Sequence, residues 1–351
     1  MACTQPLTAW KWGYHPSGKQ KLVFTDPHEE KAERQKVPCG KCTDCKLSYS
    51  RQWATRIMHE MQTCKIGCFV TLTINEEQLI RTGFTRREKF QLEEGHEWRD
   101  VYYPPNSVYK RSIQLFMKRL RKATAIDVPN PDTGRTKKVY QKFRYVAAGE
   151  YGDKKGRPHY HIAILGLDFP DKYYWRTTPR GDKCYRSPAL EKLWTYGQSE
   201  IGEITFQSAA YLARYTLKKS SDKRQYEQAY GYDPETGEIL FDQLNPEFIT
   251  MSKGIGSDWW KKYKHDTDKD YLVIDYDKKV KIPRYYDKKR EDDDPESLAK
   301  IKELREAKAL ELDATDTKRR KLARATVKQA QNTMLKRSLD HGTETPLLPV
   351  R

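Results

Sequence analysis

The segment from Pro158 to Leu165, Pro-His-Tyr-His-Ile-Ala-Ile-Leu, restricts the possible folds of this chain more strongly than any other stretch. Its aromatic and β-branched residues predict a strand, and alternate residues of a strand point to the same side of a sheet. His159 and His161 therefore present two imidazoles together, while the apolar residues after them anchor the strand in a core. Two neutral imidazoles are ready ligands for a divalent transition metal, so this strand is a candidate metal site; a histidine pair that is only hydrogen-bonded is the alternative.

Glu150 is expected to complete this site. It ends a predicted strand from Phe143 to Glu150, and the glycine-containing stretch Tyr-Gly-Asp-Lys-Lys-Gly-Arg that follows predicts a hairpin turn back to the histidines. Two histidines and one carboxylate leave coordination positions open for a phosphate and for water. The same ligand set suits non-haem iron oxygenases, a rival that predicts a small-molecule pocket and gives the charge of the chain no role.

Two tyrosines, Tyr211 and Tyr215, lie one turn apart on a predicted helix, and Lys218 extends their face. The opposite face carries small or apolar side chains: Ala209, Ala213 and Leu217. We therefore expect the tyrosines to point away from the packing face. A tyrosine hydroxyl, with an ordinary pKa of about 10, is a weak nucleophile. A metal and a lysine beside a phosphodiester would let it attack, whereas the alternative is an ordinary half-exposed helical face.

Other elements follow from apolar periodicity and from runs of β-branched residues. The pattern predicts helices near 46–62, 110–122 and 208–219, strands near 68–74, 158–166 and 200–206, and a charged helix from 296 to about 339, with residues 1–45 irregular.

The charge of the chain favours a polyanionic partner. Its 66 Lys and Arg against 49 Asp and Glu give a net charge of +17, and its 23 Tyr and 8 Trp could stack on unpaired bases. The sequence has no apolar run long enough to span a bilayer and no visible secretory signal, so no membrane partner is expected.

Basic residues near the predicted helix at 110–122 are candidates for contacts to DNA phosphates, with little base readout. They are Arg111, Lys118, Arg119, Arg121 and Lys122, together with Arg157 beside the histidine strand. An ordinary solvated surface is the alternative for this face. Trp259 and Trp260 could stack on bases or pack in the core.

Three of the seven cysteines crowd into Cys39-Gly-Lys-Cys42-Thr-Asp-Cys45, a spacing typical of ligands to one metal. Cys3 could supply a fourth thiolate if the N-terminus folds back, and a structural zinc ion is the preferred interpretation. A bacterial-type iron–sulfur run would have a cysteine at position 49, where this chain has Tyr49. Other candidates for the fourth ligand are His59, Cys64 and Cys68. Three free thiols in a reducing cytoplasm are the alternative.

Three motifs, in order along the chain, carry a resemblance to a known superfamily. They are the strand Phe69-Val-Thr-Leu-Thr73, the pair His159-x-His161 and the run Tyr211-x-x-x-Tyr215-x-x-Lys218. In this order they resemble the motifs of HUH endonucleases. The paired tyrosines with a trailing lysine are most similar to the replication initiators of microviruses, the small icosahedral single-stranded-DNA phages. Three N-terminal stretches are also similar to that group: Pro38-Cys-Gly-Lys-Cys42, Ser50-Arg-Gln-Trp53 and His59-Glu60.

The resemblance implies an α+β fold, in which an antiparallel sheet of the RRM-like nuclease type carries helices packed on one face and a metal on its exposed face. The implied roles are ligation of Mg²⁺ or Mn²⁺ for His159, His161 and Glu150, nucleophile for Tyr211 and Tyr215, and motif lysine for Lys218 or Lys219. The expected regions are a cysteine-rich segment with a helix at 1–63, a nuclease core at 64–225, an accessory region at 226–290 and a charged helical tail at 291–351.

The implied activity is a nick at a phage origin that leaves a 5′-phosphotyrosine link and a free 3′-hydroxyl, followed later by rejoining. The expected partners are single-stranded or supercoiled circular phage DNA and a host helicase with its replication machinery, in the cytoplasm of a bacterial host. Two other functions stay open. One is a non-catalytic single-stranded-DNA-binding or packaging protein with a structural metal site, and the other is a relaxase or transposase with the same chemistry.

Overall fold

The computed structural model of this protein divides the chain into two compact units. One comprises Met1–Trp53 and Lys262–Lys336, and the other comprises Ala54–Lys261 and Arg337–Arg351. The structure describes residues 3–16, 20–79, 84–92, 95–103, 107–129, 136–152, 157–179, 181–218, 245, 247–274, 278–315 and 317–334.

Strands and helices are mixed along the described chain. The strands are β1 (Leu7–Tyr14), β2 (Gln20–Val23), β3 (Glu33–Val37), β4 (Gly67–Thr73), β5 (Phe84–Leu92), β6 (Gly95–Tyr103), β7 (Ala125–Pro129), β8 (Thr136–Tyr140), β9 (Arg144–Tyr151), β10 (Pro158–Leu165), β11 (Tyr173–Thr177), β12 (Lys183–Arg186), β13 (Ser199–Gly202), β14 (Phe248–Met251), β15 (Tyr271–Ile274) and β16 (Lys278–Lys281). The helices are α1 (Thr43–Cys64), α2 (Glu76–Leu79), α3 (Lys110–Ala123), α4 (Pro188–Leu193), α5 (Phe206–Lys218), α6 (Ser257–Tyr263), α7 (Arg284–Asp293), α8 (Pro295–Thr315) and α9 (Lys318–Met334). Within these described helices, none combines the length and apolarity that a membrane span requires.

The unit that contains Ala54–Lys261 is built on an antiparallel sheet of seven described strands, in the order β11-β12-β13-β4-β10-β9-β14. The predicted α+β class is confirmed, since a purely antiparallel sheet is combined here with separate helices. The strands predicted from β-branched runs lie at the middle of this sheet: β10 pairs with β4 on one side and with β9 on the other.

One face of the sheet forms the main hydrophobic core. Tyr160, Ile162 and Ile164 alternate with the histidines along β10 and are fully buried, as are Val70 and Leu72 on β4. Helix α3 covers these residues with the apolar side chains at helical spacing on its buried side: Ile113, Phe116, Met117 and Leu120. Burial of each such side chain contributes roughly 1.5–3 kcal/mol, so this packing holds β10 rigidly in the sheet.

Helix α5 contacts β9, β10 and β14. Because Tyr160, Ile162 and Ile164 face α3, the alternate residues His159 and His161 face the other side of the sheet, where α5 lies. The metal-site candidates and the tyrosine helix are therefore on the same side.

The N-terminal region differs from its prediction. Residues 1–45 were expected to be irregular, yet they contain a three-stranded antiparallel sheet in the order β2-β1-β3. The sequence signal is weak because these strands bury little apolar surface: Ala9 is the only fully buried position among the described residues of the three strands. Backbone pairing, rather than apolar alternation, defines this sheet.

Candidate active site

The register of the sheet brings Glu150 and His159 together. The two residues are direct cross-strand partners on β9 and β10, and such partners share a face of the sheet. His161 follows two residues later on the same face, where its partners are Thr71 on β4 and Ala148 on β9.

Both histidines converge on one carboxylate oxygen. Oε1 of Glu150 lies 2.9 Å from Nε2 of His159 and 2.6 Å from Nε2 of His161. The ligand atoms of the three residues all lie within 4.8 Å of one another, so the group could hold a metal ion. This is the ligand set that the sequence suggested.

The second nitrogen of each imidazole is held by a neighbour. Nδ1 of His159 donates to the carbonyl oxygen of Arg157 at 3.1 Å, which leaves Nε2 with its lone pair toward the centre of the site when the ring is neutral. Nδ1 of His161 lies 3.1 Å from Oγ1 of Thr71. Contacts of this kind orient metal-binding histidines. Thr71 was not singled out by the sequence analysis, although alternation along the motif strand that contains it would have indicated its direction.

Burial and charge set the protonation states. Burial alone would raise the pKa of the Glu150 carboxyl, but the charge of His161 and hydrogen bonds from both histidines outweigh burial and hold that pKa well below its ordinary value. Burial lowers the pKa of His161. Burial also opposes the charged form of His159, yet its hydrogen bond and attraction to Glu150 raise its pKa. An ionised carboxylate and a neutral imidazole are the forms that bind metals.

Tyr211 completes the cluster. Its hydroxyl donates to Oε1 of Glu150 at 2.7 Å, and its ring lies edge-on to the His161 ring at a centroid distance of 5.3 Å. The expectation that the tyrosines point away from the packing face of the helix is wrong for Tyr211, which is 6% exposed. It is buried because small residues of α5 approach the sheet closely and because Glu150 provides a buried acceptor for the hydroxyl.

The site is less open than the resemblance implied. Glu150 and His161 are 2% and 3% exposed, whereas the side chain of His159 keeps 20% of its surface accessible. Tyr215 and Lys218 belong to α5, but their side chains lie outside the described residues, as does the whole of Lys219.

The basic residues predicted for DNA contact fall into two groups. Arg157 lies next to β10, beside the histidines, with Nη2 3.5 Å from the carbonyl oxygen of Ile74. The basic residues of α3 are on the helix that covers the opposite face of the sheet, so the structure does not bring them to the candidate metal group. They are Arg111, Lys118, Arg119, Arg121 and Lys122.

The α3 residues also differ among themselves. Nε of Arg119 donates to the carbonyl oxygen of Leu193 at 2.9 Å, and the guanidinium of Arg121 lies 5.2 Å from the Phe143 ring centre. Arg111 donates to Gln114 at 3.4 Å. Lys118 and Lys122 are exposed. These two lysines are therefore the α3 side chains most accessible to a phosphate.

Trp259 and Trp260 are packed rather than available for bases, since they are 2% and 4% exposed. The Trp259 ring stacks on His59 at a centroid distance of 3.7 Å, and its Nε1 donates to Gln62 at 2.9 Å. Base stacking by these two tryptophans is therefore a wrong interpretation. The packing of Trp259 also explains the burial of His59, which lowers the pKa of that histidine to about 3.

A second group of possible metal ligands lies at the N-terminus. Cys3 does fold back to Cys39, Cys42 and Cys45, and their four sulfur atoms lie within 4.8 Å of one another. Burial alone would raise the pKa of the Cys42 thiol, but hydrogen bonds from Cys45 and Thr4 lower it to about 6. The arrangement could hold a metal ion.

Comparison with known proteins gives the family. The family model of the phage replication-associated protein ORF2 matches residues 67–220. The chain is 30% identical over 289 residues to replication-associated protein VP4 of Bdellovibrio phage phiMH2K, with 82% of this chain and 76% of the relative covered. It is 31% identical over 319 residues to replication-associated protein ORF2 of Spiroplasma virus 4, with 87% and 86% covered. Replication-associated protein ORF4 of Chlamydia phage 1 is 25% identical over 263 residues, with 74% and 54% covered. No solved structure gives a significant match.

Proposed function

The chain belongs to the family of phage replication-associated proteins, and from this premise we propose that it initiates replication by nicking DNA with a tyrosine. The observation that carries the proposal is the 2.7 Å hydrogen bond from the Tyr211 hydroxyl to the carboxylate that both histidines contact. A tyrosine that merely filled the core would need no such partner beside two imidazoles.

Tyr211 is the proposed nucleophile of the first strand transfer. Its hydroxyl oxygen forms a bond to a backbone phosphorus while the bond from that phosphorus to the 3′-oxygen breaks. The tyrosine loses its proton and the 3′-oxygen gains one, which leaves a 5′-phosphotyrosine link and a free 3′-hydroxyl. Because the link is itself a phosphodiester, attack by a 3′-hydroxyl reverses the step and rejoins the ends. Tyr215, one turn along the helix, is the proposed second nucleophile, with Lys218 countering developing negative charge.

His159, His161 and Glu150 are the proposed ligands of a divalent cation at this site. Their donor set of two imidazole nitrogens and one carboxylate oxygen fits Mn²⁺, and Mg²⁺ is the more abundant alternative. Such an ion, when bound, withdraws charge from a phosphate oxygen. Thr71 and the carbonyl of Arg157 orient the two rings, so the protein's contribution is to keep both Nε2 atoms directed at one point.

Circular phage DNA in the cytoplasm of a bacterial host is the proposed substrate. The names of the relatives associate them with phage replication, and the net charge of +17 suits a polyanion. Recruitment of a host helicase stays a prediction from the resemblance. The four regions expected from the sequence, with a nuclease core at 64–225, are likewise proposed as functional divisions.

The test is a covalent adduct. Purified protein is mixed with circular single-stranded phage DNA that contains the origin and with Mn²⁺, and a protein–DNA band is sought after boiling in detergent. We expect an adduct that EDTA prevents and that the Tyr211→Phe/Tyr215→Phe double variant cannot form, with the single variants assigning the two roles.

Tyr160→Phe is the matched control. Tyr160 is also a buried tyrosine with a hydrogen-bonded hydroxyl, but it faces the core on the other side of the sheet, where its hydroxyl accepts from the backbone N–H of Tyr109 at 2.9 Å. This variant should still form the adduct. Binding of origin DNA without any adduct would reject the nicking proposal in favour of a non-catalytic DNA-binding protein. Cleavage without a preference for the replication origin would instead favour the role of a relaxase or transposase.

A further inference from the structure

We propose that Cys3, Cys39, Cys42 and Cys45 bind one zinc ion, and that this ion stabilises the N-terminal sheet. The site is separate from the histidine–glutamate group and has no part in the proposed nicking chemistry. It lies within the unit formed by Met1–Trp53 and Lys262–Lys336.

The spacing of the sulfur atoms carries the proposal. Sγ of Cys3 lies 3.8 Å from Sγ of Cys42, and Sγ of Cys39 lies 4.0 Å from Sγ of Cys45. Four thiolates arranged tetrahedrally around zinc, with Zn–S bonds of about 2.3 Å, are separated by about 3.8 Å. The two sulfur pairs are therefore already at the separation that a single tetrahedral ion requires.

Other uses of four close cysteines fit less well. A disulfide needs two sulfur atoms about 2.05 Å apart, and all four cysteines are free thiols. In an iron–sulfur cluster the thiolates are distributed over several iron atoms, so they surround a larger object than one ion. A group of sulfur atoms that all lie within 4.8 Å of one another is compact enough for one metal ion.

The backbone is shaped around the sulfur atoms. Gly40 has a φ of +75°, a left-handed conformation that glycine adopts without strain, and it turns the chain between Cys39 and Cys42. As a result the N–H of Cys42 donates to Sγ of Cys39 at 3.3 Å, and the N–H of Cys39 donates to Sγ of Cys3 at 3.4 Å. Donors directed at sulfur favour the thiolate form, which is the form that binds a metal.

The N-terminal sheet needs such a link. Cys3 precedes β1, Cys39 follows β3, and Cys42 and Cys45 lie at the start of α1, so the ion would join the two outer ends of the strand segment to a helix. The strands supply little hydrophobic stabilisation themselves, since Ala9 is the only fully buried position among their described residues. Small units without an adequate apolar core commonly depend on a metal for folding.

Metal analysis of the full-length protein is the first test. Protein expressed with added zinc should contain one zinc per chain by elemental analysis, retained after desalting. Replacement of zinc by cobalt should give the visible absorption of a tetrahedral thiolate site. Absence of any metal in protein that also fails to take up zinc or cobalt would overturn the proposal, and iron at this site in place of zinc would overturn the identity of the metal.

Cys45→Ser and Cys64→Ser form a matched pair. Both replace a partly buried cysteine, but Cys64 lies outside the group of four. The first variant should lose the bound zinc, and the second should retain one per chain. If Cys45→Ser does not fold, thiol counting in the wild-type protein decides the point, because zinc should protect four of its seven cysteines from alkylation until a chelator is added.

Hydrogen exchange tests the structural role. Removal of zinc should abolish amide protection in β1 and β3 and leave protection in β4 and β10 unchanged. Unchanged exchange in β1 and β3 after complete zinc loss would reject the stabilising role. Because zinc content and exchange are measured without DNA, these outcomes do not depend on whether the protein nicks its substrate.

Discussion

The hydroxyl of Tyr211 and the carboxylate of Glu150 are joined by a hydrogen bond of 2.7 Å, although the two residues are 61 positions apart in the chain. This contact links helix α5 to the strand that carries the proposed acidic ligand. A shift of the helix would therefore move the proposed nucleophile relative to the histidines, so the position of α5 on the sheet is part of the site.

Glu150→Gln tests the acidic ligand. Glutamine keeps the size of the side chain and removes the negative charge, so it should weaken Mn²⁺ binding by more than about 10-fold and reduce adduct formation accordingly. Calorimetric titration with Mn²⁺ measures the affinity. The exposed residue Glu203, changed to glutamine, is the control and should bind Mn²⁺ as the wild type does. Equal affinity in the two variants would remove Glu150 from the ligand set.

Thr71→Val tests the orientation of His161. Valine keeps the shape of threonine but lacks the hydroxyl that lies 3.1 Å from Nδ1 of His161, so we expect Mn²⁺ binding about 10-fold weaker. Thr73→Val on the same strand removes a hydroxyl that bonds to the carbonyl of Gln198 instead, and it should have little effect on the metal. A larger loss of affinity in Thr73→Val than in Thr71→Val would contradict the assignment.

His59 should make the stability of its unit depend on pH. Its pKa is lowered to about 3 in the folded protein, against about 6.5 in the unfolded chain, so the unfolded state takes up the proton first as the pH falls. The free energy of unfolding should then decline from about pH 6.5 toward pH 3, by at most about 1.4 kcal/mol per pH unit from this group. Urea unfolding at several pH values measures the slope. His59→Phe, which can keep the stack on Trp259, should show a shallower decline between pH 6.5 and 4.5.

Gly197→Ala should disturb the end of β4. A methyl group at this position would overlap the carbonyl oxygen of Thr73 and come within 2.8 Å of the backbone nitrogen of Asn75, and backbone atoms cannot yield as a side chain does. We expect a destabilisation of about 1–3 kcal/mol in chemical unfolding. Gly202→Ala is the control, because the added methyl would lie 3.9 Å from the nearest described atom, a carbonyl oxygen of Phe69. Equal stability of the two variants would refute the clash.

Lys118 and Lys122 test the predicted DNA contacts of α3. The double variant Lys118→Ala/Lys122→Ala should bind long single-stranded DNA less tightly and with a weaker salt dependence, because each lost phosphate contact lowers the salt slope by about 1. Nicking of a short oligonucleotide should be unchanged, since α3 covers the face of the sheet opposite the histidines. Lys137→Ala/Lys138→Ala on the exposed strand β8 controls for net charge. A slope that falls equally in both double variants would remove the special role of α3.

The sequence predicted the elements whose signal repeats within one segment. The apolar stripe of α3 and the buried run of β10 both appear where periodicity indicated them, and the common face of His159 and His161 follows from strand geometry alone. The sheet at the N-terminus escaped prediction because its strands bury almost no apolar side chains, so they leave no periodic pattern to detect.

Local sequence thus determined the chemistry available to this protein: two imidazoles on one face of a strand, two tyrosines one turn apart and three cysteines at metal-ligand spacing. Only the tertiary structure decided which distant groups join them. The register of β9 against β10 set Glu150 opposite His159, the pairing of β4 supplied Thr71, and packing of α5 turned Tyr211 toward the sheet. The physical reason is that periodicity acts between neighbours in one element, whereas register and helix docking depend on burial and hydrogen bonding between segments that the sequence leaves far apart.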